Sequence, residues 1–63
     1  VRSGDPRALP PLRTALADED AVVRGHAAWA IGRIDPRDPA LDRALRREAD
    51  EQVRTELIRA VES

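Results

Sequence analysis

At 63 residues the chain is at most one small domain, of a size that is only marginally stable alone. It has no cysteine, which excludes disulfides and any thiolate-held metal or iron–sulfur site within these residues. Twelve acidic and eleven basic residues interleave to a net charge of −1, so there is no global pull toward nucleic acid or anionic lipid. No apolar run approaches the roughly 18 residues that a membrane span needs.

All eleven basic residues are arginine, which fits arginine-favouring codon usage or selection for bidentate contacts to carboxylate or phosphate. No signal peptide is visible, and an opening Val1 suggests a piece of something longer. Residues 1–4 lack periodicity and are expected to fray. Asp5-Pro6 has the form of a helix entry, yet proline inside a helix costs about 3 kcal/mol. Pro10-Pro11 therefore predicts a turn over 6–9 and a first helix over 10–17, with Leu9, Leu12 and Leu16 on its apolar face.

Asp18-Glu19-Asp20 forms an acidic link, and Asp20 is the N-cap of a second helix over 21–33. Val23, Ala27, Ala30, Ile31 and Ile34 recur on it at helical spacing. At about 100° per residue Trp29 falls nearly opposite that stripe. Gly32 weakens the last turn and Asp35-Pro36 stops it. Asp38 caps a third helix over 39–49, with Leu41, Ala44, Leu45 and the stem of Glu48 on one face. Asp50 caps a fourth over 51–61, with Val53, Leu57, Ile58, Ala60 and Val61 inward. No stretch alternates as a strand does, so the fold class is all-α.

The chain repeats itself. Pro10, Leu12, Ala15 and Leu16 match Pro39, Leu41, Ala44 and Leu45 at an offset of 29, and Val23, Arg24, Ala30 and Ile31 match Val53, Arg54, Ala60 and Val61 at 30. Each unit is a helix pair that buries its faces only by stacking. Asp18-Glu19-Asp20-Ala21-Val22-Val23-Arg24, followed by Ala27-Ala28-Trp29-Ala30-Ile31-Gly32, resembles the HEAT-like repeats of the phycobilisome-lyase type. In the second unit Ala27-Ala28 becomes Leu57-Ile58. The resemblance implies a short α-α solenoid of about four helices: a single domain over 1–63 with units at 10–33 and 39–62. Solenoids need about three repeats and polar caps, so its ends should be sticky and favour self-association.

The repeat is an internal control. His26 and Trp29 align with Glu56 and Arg59, so their positions face outward in the generic unit. Three readings of Trp29 stand: it covers a neighbouring helix, docks onto another domain, or stacks on nucleic acid. A single histidine without cysteine makes no transition-metal site, so His26 reads as solvent-facing or hydrogen-bonded. Arg24 and Arg54 stand in register, expected to pair with Asp18, Asp20 or Asp50 and tie adjacent repeats. Gly25, Trp29 and Gly32 share a face, a shallow slot for another surface. Arg43, Arg46 and Arg47 form a solvated helix face or a phosphate-contact patch. No nucleophile with a nearby base, glycine-rich phosphate loop or metal cluster is present, so the chain reads as non-catalytic.

Val23-Arg24-Gly25-His26-Ala27-Ala28-Trp29-Ala30-Ile31-Gly32, with Asp5-Pro6-Arg7-Ala8-Leu9-Pro10 upstream, resembles the C-terminal region of epoxyqueuosine reductases, which complete queuosine at the wobble position of certain transfer RNAs. That family uses cobalamin and 4Fe-4S clusters carried by domains N-terminal to the repeats; none of its catalytic or cluster motifs has a counterpart here. The resemblance implies a cytoplasmic module without a cofactor of its own. Its partners would be the rest of the parent chain and a transfer RNA, with Gly25, His26, Trp29 and Arg33 as contact surface and no membrane. The alternative is a protein-binding scaffold of the same repeats with no RNA role.

Overall fold

The computed structural model describes residues 5–62, and the expectation for residues 1–4 lies outside them. A 3-10 turn, Pro6–Ala8, runs straight into helix α1, Leu9–Ala15. Pro10 and Pro11 are tolerated because they fall in the first turn of α1, where a backbone N–H has no helical partner. The helix thus starts one residue earlier than predicted. It also ends two residues sooner, because the chain tightens into three-residue bonds: Ala17 N–H donates to the Thr14 carbonyl at 3.0 Å and Asp18 N–H to that of Ala15 at 3.1 Å.

Helix α2, Ala21–Ile34, is capped by Asp20, whose Oδ1 accepts from Val22 N–H at 2.9 Å. Helix α3, Pro39–Arg47, is capped by Asp38 through Ala40 N–H at 2.9 Å. It stops short of the predicted residue 49 because Glu48 turns to extended backbone, at ψ 125, and carries its carboxylate to Arg24. Asp50 then caps α4, Glu51–Glu62, accepting from Gln52 and Val53 N–H at 2.9 and 3.1 Å. Among the described residues there is no strand.

Helices α1 and α2 form one hairpin and α3 and α4 the next, with α2 packed most extensively on α4. Ile31, Leu41 and Leu57 are the largest fully buried side chains, one from each of α2, α3 and α4, and Leu9 and Leu16 close the core from the α1 side. The apolar stripe of α2 is broader than its spacing suggested, and rotated. Ala27 and Ile31 are buried, whereas Val23, Ala30 and Ile34 are half-buried, and Gly25, Ala28 and Gly32 go inward instead. The reason is that α2 has α1 on one flank and α4 on the other. A Cβ added to Gly32 would stand 2.7 Å from the Ala60 Cβ and 2.8 Å from its Cα, so the absent side chain is what lets α4 approach. The surface that fills the slot beside the glycines is α4 itself.

Burial differs between equivalent positions as the neighbours do. Ala28 and Ile31 are fully buried; their equivalents Ile58 and Val61 are 40% exposed, contrary to the inward placement expected of them. Conversely Val53 and Ala60 are buried under α2, while their equivalents Val23 and Ala30 are only half-buried.

Polar ties fasten the hairpins. Arg24 Nε and Nη2 donate to Glu48 Oε1 and Oε2 at 2.9 and 3.1 Å, and its Nη1 reaches the carbonyls of Asp18 and Glu19 at 2.8 and 3.0 Å. Arg54 repeats the carbonyl contact, donating to Leu45 and Glu48 at 2.9 and 3.2 Å. Arg24 thus ties the repeats as expected, whereas the contacts of Arg54 stay within its own hairpin, and the expected carboxylate partners are engaged otherwise. Asp20 and Asp50 cap helices, and Asp18 turns its Oδ1 to Asp20 N–H at 2.8 Å. A second tie joins α1 to the cap of α3, where Arg13 Nε donates to Asp38 Oδ2 at 2.8 Å.

Candidate interaction surface

Val22, His26, Trp29 and Arg33 recur at intervals of four, three and four residues and form the outward strip of α2, all four exposed. Val22 is 63% and Trp29 57% exposed, which are large values for apolar side chains in a domain with so little core. The Arg33 guanidinium lies over the Trp29 ring, 5.1 Å from the centroid, in cation–π contact. Gly25 is buried on the α4 flank, where an added Cβ would meet only the Glu56 Cγ at 3.8 Å.

Val22, His26 and Trp29 of this strip line a concavity of about 1000 Å³. One flank is apolar, from Leu12, Ala15, Val23 and Ala30; the other carries Gln52 and Glu56 of α4, with Asp50 at its end. Arg43, Arg46 and Arg47 are exposed on α3, which does not line the concavity. Arg46 pairs with Asp42 at 2.9 Å on that same face, so its charge is partly met within the helix. The structure brings His26, Trp29 and Arg33 together and sets the three α3 arginines apart from them.

Two carboxyls carry the electrostatics of the scaffold beneath. Burial pushes the Asp38 carboxyl up, but the Ala40 N–H and the Arg13 guanidinium outweigh it and hold it below the usual carboxylate range. The Arg24 guanidinium holds Glu48 below that range against its burial, helped by Asp50 N–H at 3.0 Å. Every buried side-chain polar atom among the described residues has a hydrogen-bond partner. No three His, Asp or Glu among the described residues are grouped to hold a metal, and the chain has no cysteine to offer a cluster. No described helix is long and apolar enough to cross a membrane.

Sequence reasoning missed the Arg13–Asp38 tie. Asp38 is recognisable as a cap, but its second oxygen is claimed by a residue 25 positions away, and local spacing carries no sign of that. The packing role of Gly32 was visible only in part. A glycine in the last turn of a helix reads as a weak point until the facing Ala60 is known.

Stacked hairpins of this kind define a repeat protein, and the family model described as HEAT repeats matches residues 1–62; the chain belongs to the HEAT-repeat family. Among curated relatives it is similar to the epoxyqueuosine reductase of Bacillus subtilis (strain 168), at 43% identity over 92% of this chain and 16% of that protein. The epoxyqueuosine reductase of Bacillus anthracis is 41% identical over 87% of this chain and 15% of its own length. An uncharacterized protein in the gldA 3′ region of Geobacillus stearothermophilus is 44% identical over 92% of this chain and 28% of its length. The chain therefore spans between 15% and 28% of the length of these relatives. No solved structure matches it.

Proposed function

We propose that residues 1–63 form one non-catalytic interaction domain, the repeat module of a cytoplasmic, transfer RNA-modifying epoxyqueuosine reductase, with units at 10–33 and 39–62. It packs on the catalytic part of the parent through His26, Trp29 and Arg33, while Gly25, expected to join them, is buried against α4. The observation that carries this reading is the exposed Trp29, in a chain 43% identical to part of an epoxyqueuosine reductase. A lone indole left in water is an anchor for a surface that excludes it. The cobalamin and 4Fe-4S clusters of such a parent sit in its other domains, since this chain lacks the thiolates that clusters need. Transfer RNA, where it is touched, meets Arg43 and Arg47 on α3, with Arg46 shared with Asp42.

The test uses the longer protein that carries this segment. Trp29→Ala is expected to lower reduction of epoxyqueuosine in transfer RNA by at least ~10-fold, the size of a truncated aromatic hot spot. Unchanged activity would remove Trp29 from the reading. A second reading, a protein-binding scaffold without an RNA role, is favoured by the Asp42–Arg46 pair and the net charge of −1. Binding of an anticodon stem-loop at two ionic strengths separates the two. Phosphate contact weakens steeply with salt, whereas no binding at low salt leaves the scaffold.

A further inference from the structure

We infer that the concavity lined by α2 and α4 takes a basic side chain, the arginine or lysine of an otherwise apolar protein segment, held between the Trp29 ring and the Glu56 carboxylate. This rests on the proposed function, in which Trp29 docks on another part of a longer chain, and it names the chemistry of what docks there.

Placement comes first. Trp29 stands one turn beyond Gly25 on nearly the same side of α2, and helical side chains lean back toward the helix N-terminus, here toward the level of Gly25. Facing Gly25 from α4 is the stem of Glu56, its Cγ 3.8 Å from where a Cβ would stand. The ring and the half-buried carboxylate therefore approach one groove from its two sides, and both residues line the concavity. The ring also accepts a guanidinium within the chain itself, that of Arg33, 5.1 Å from its centroid.

Charge identifies the occupant. The chain has eleven arginines, yet none lines the concavity, whose carboxylates are Asp50 and Glu56. At the α2 N-terminus Asp18, Glu19 and Asp20, all exposed, extend the negative charge beyond the lining residues Ala21 and Val22. Asp50 is engaged as a helix cap, accepting from Gln52 and Val53 N–H. Glu56 enters none of the ion pairs among the described residues. A carboxylate with no cation of its own, beside an aromatic face and an apolar wall, complements a cation carried on an apolar segment. It repels phosphate, so the same charge disfavours a nucleic acid stacked on Trp29.

The experiment uses the longer protein that carries this segment. Gln52, exposed in the same concavity, is replaced by the photo-crosslinking residue benzoylphenylalanine. Illumination and peptide mapping should join it to a protein segment with an arginine or lysine within about one helical turn of the joined residue. Glu56→Arg should lower the yield of that crosslink at least ~10-fold, and Glu56→Gln should lower it in the same direction. Changing the basic residue so identified to glutamate should restore the yield in the Glu56→Arg background, which a misfolded variant would not do. An unchanged yield in Glu56→Arg, or no restoration by the second change, would overturn the inference. If Trp29→Ala still lowers the yield in that case, the docking reading survives alone. A crosslink to transfer RNA, or none to any protein segment, would overturn both.

Discussion

Gly25 and Gly32 lie two turns apart on α2, and both face α4, yet they should respond oppositely to the same substitution. Helix propensity alone favours alanine over glycine by up to about 1 kcal/mol. At Gly25 the new methyl would meet only a flexible Glu56 stem at 3.8 Å, so Gly25→Ala should stabilise the chain by about 0.5–1 kcal/mol. At Gly32 it would strike the Ala60 backbone at 2.8 Å, so Gly32→Ala should destabilise by about 1–3 kcal/mol despite the gain in propensity. Chemical denaturation of the two variants checks the pair, and a gain at both would mean that α4 does not approach α2 this closely. The outward position of Trp29 was legible in the sequence because the repeat aligned it with Arg59, a residue that faces solvent. The inward position of Gly32 was not legible in the same way: it depends on how near one helix comes to another, which one strand of text does not encode.

At the scale of elements, the four helices and three of their caps were legible, because Asp20, Asp38 and Asp50 each stand ahead of an apolar-periodic run. The ends of α1 and α3 were not. Glu48 leaves α3 for Arg24, a long-range demand that overrides local preference. That pair is mostly shielded from water, with 21% and 7% of its side chains exposed, whereas Arg46 and Asp42 are 76% and 62% exposed. Arg24→Ala should therefore lower the denaturation midpoint clearly, and Arg46→Ala should leave it nearly unchanged. Equal effects would place the hairpins' tie elsewhere.

The same ties set the response to acid. Asp38 and Glu48 are both held below the usual carboxylate range in the folded chain. The unfolded chain therefore takes up protons first as pH falls through about 4. The stability these two groups supply is complete above that range and is lost as pH drops toward their folded values. The thermal midpoint should fall between about pH 5 and pH 3, and Glu48→Gln should flatten part of that fall. A midpoint independent of pH across that interval would contradict the assignment.

As a whole molecule the chain is two hairpins in register, 32 Å in its longest extent, with a core drawn from all four helices. Its burial is lopsided, since α2 is covered by α4 and α4 leaves Ile58 and Val61 in water. A repeat unit is a surface that a neighbour completes. One large aromatic, Trp29, lies largely outside this arrangement. Trp29→Ala should then cost less than about 1 kcal/mol of stability. The most direct measurement is the fluorescence of Trp29, the one indole in the chain. The folded chain should emit at the long wavelength of a water-exposed indole and be quenched by acrylamide nearly as readily as the unfolded chain. A blue-shifted emission, shielded from quencher until the chain unfolds, would show the ring packed within the fold and contradict the account.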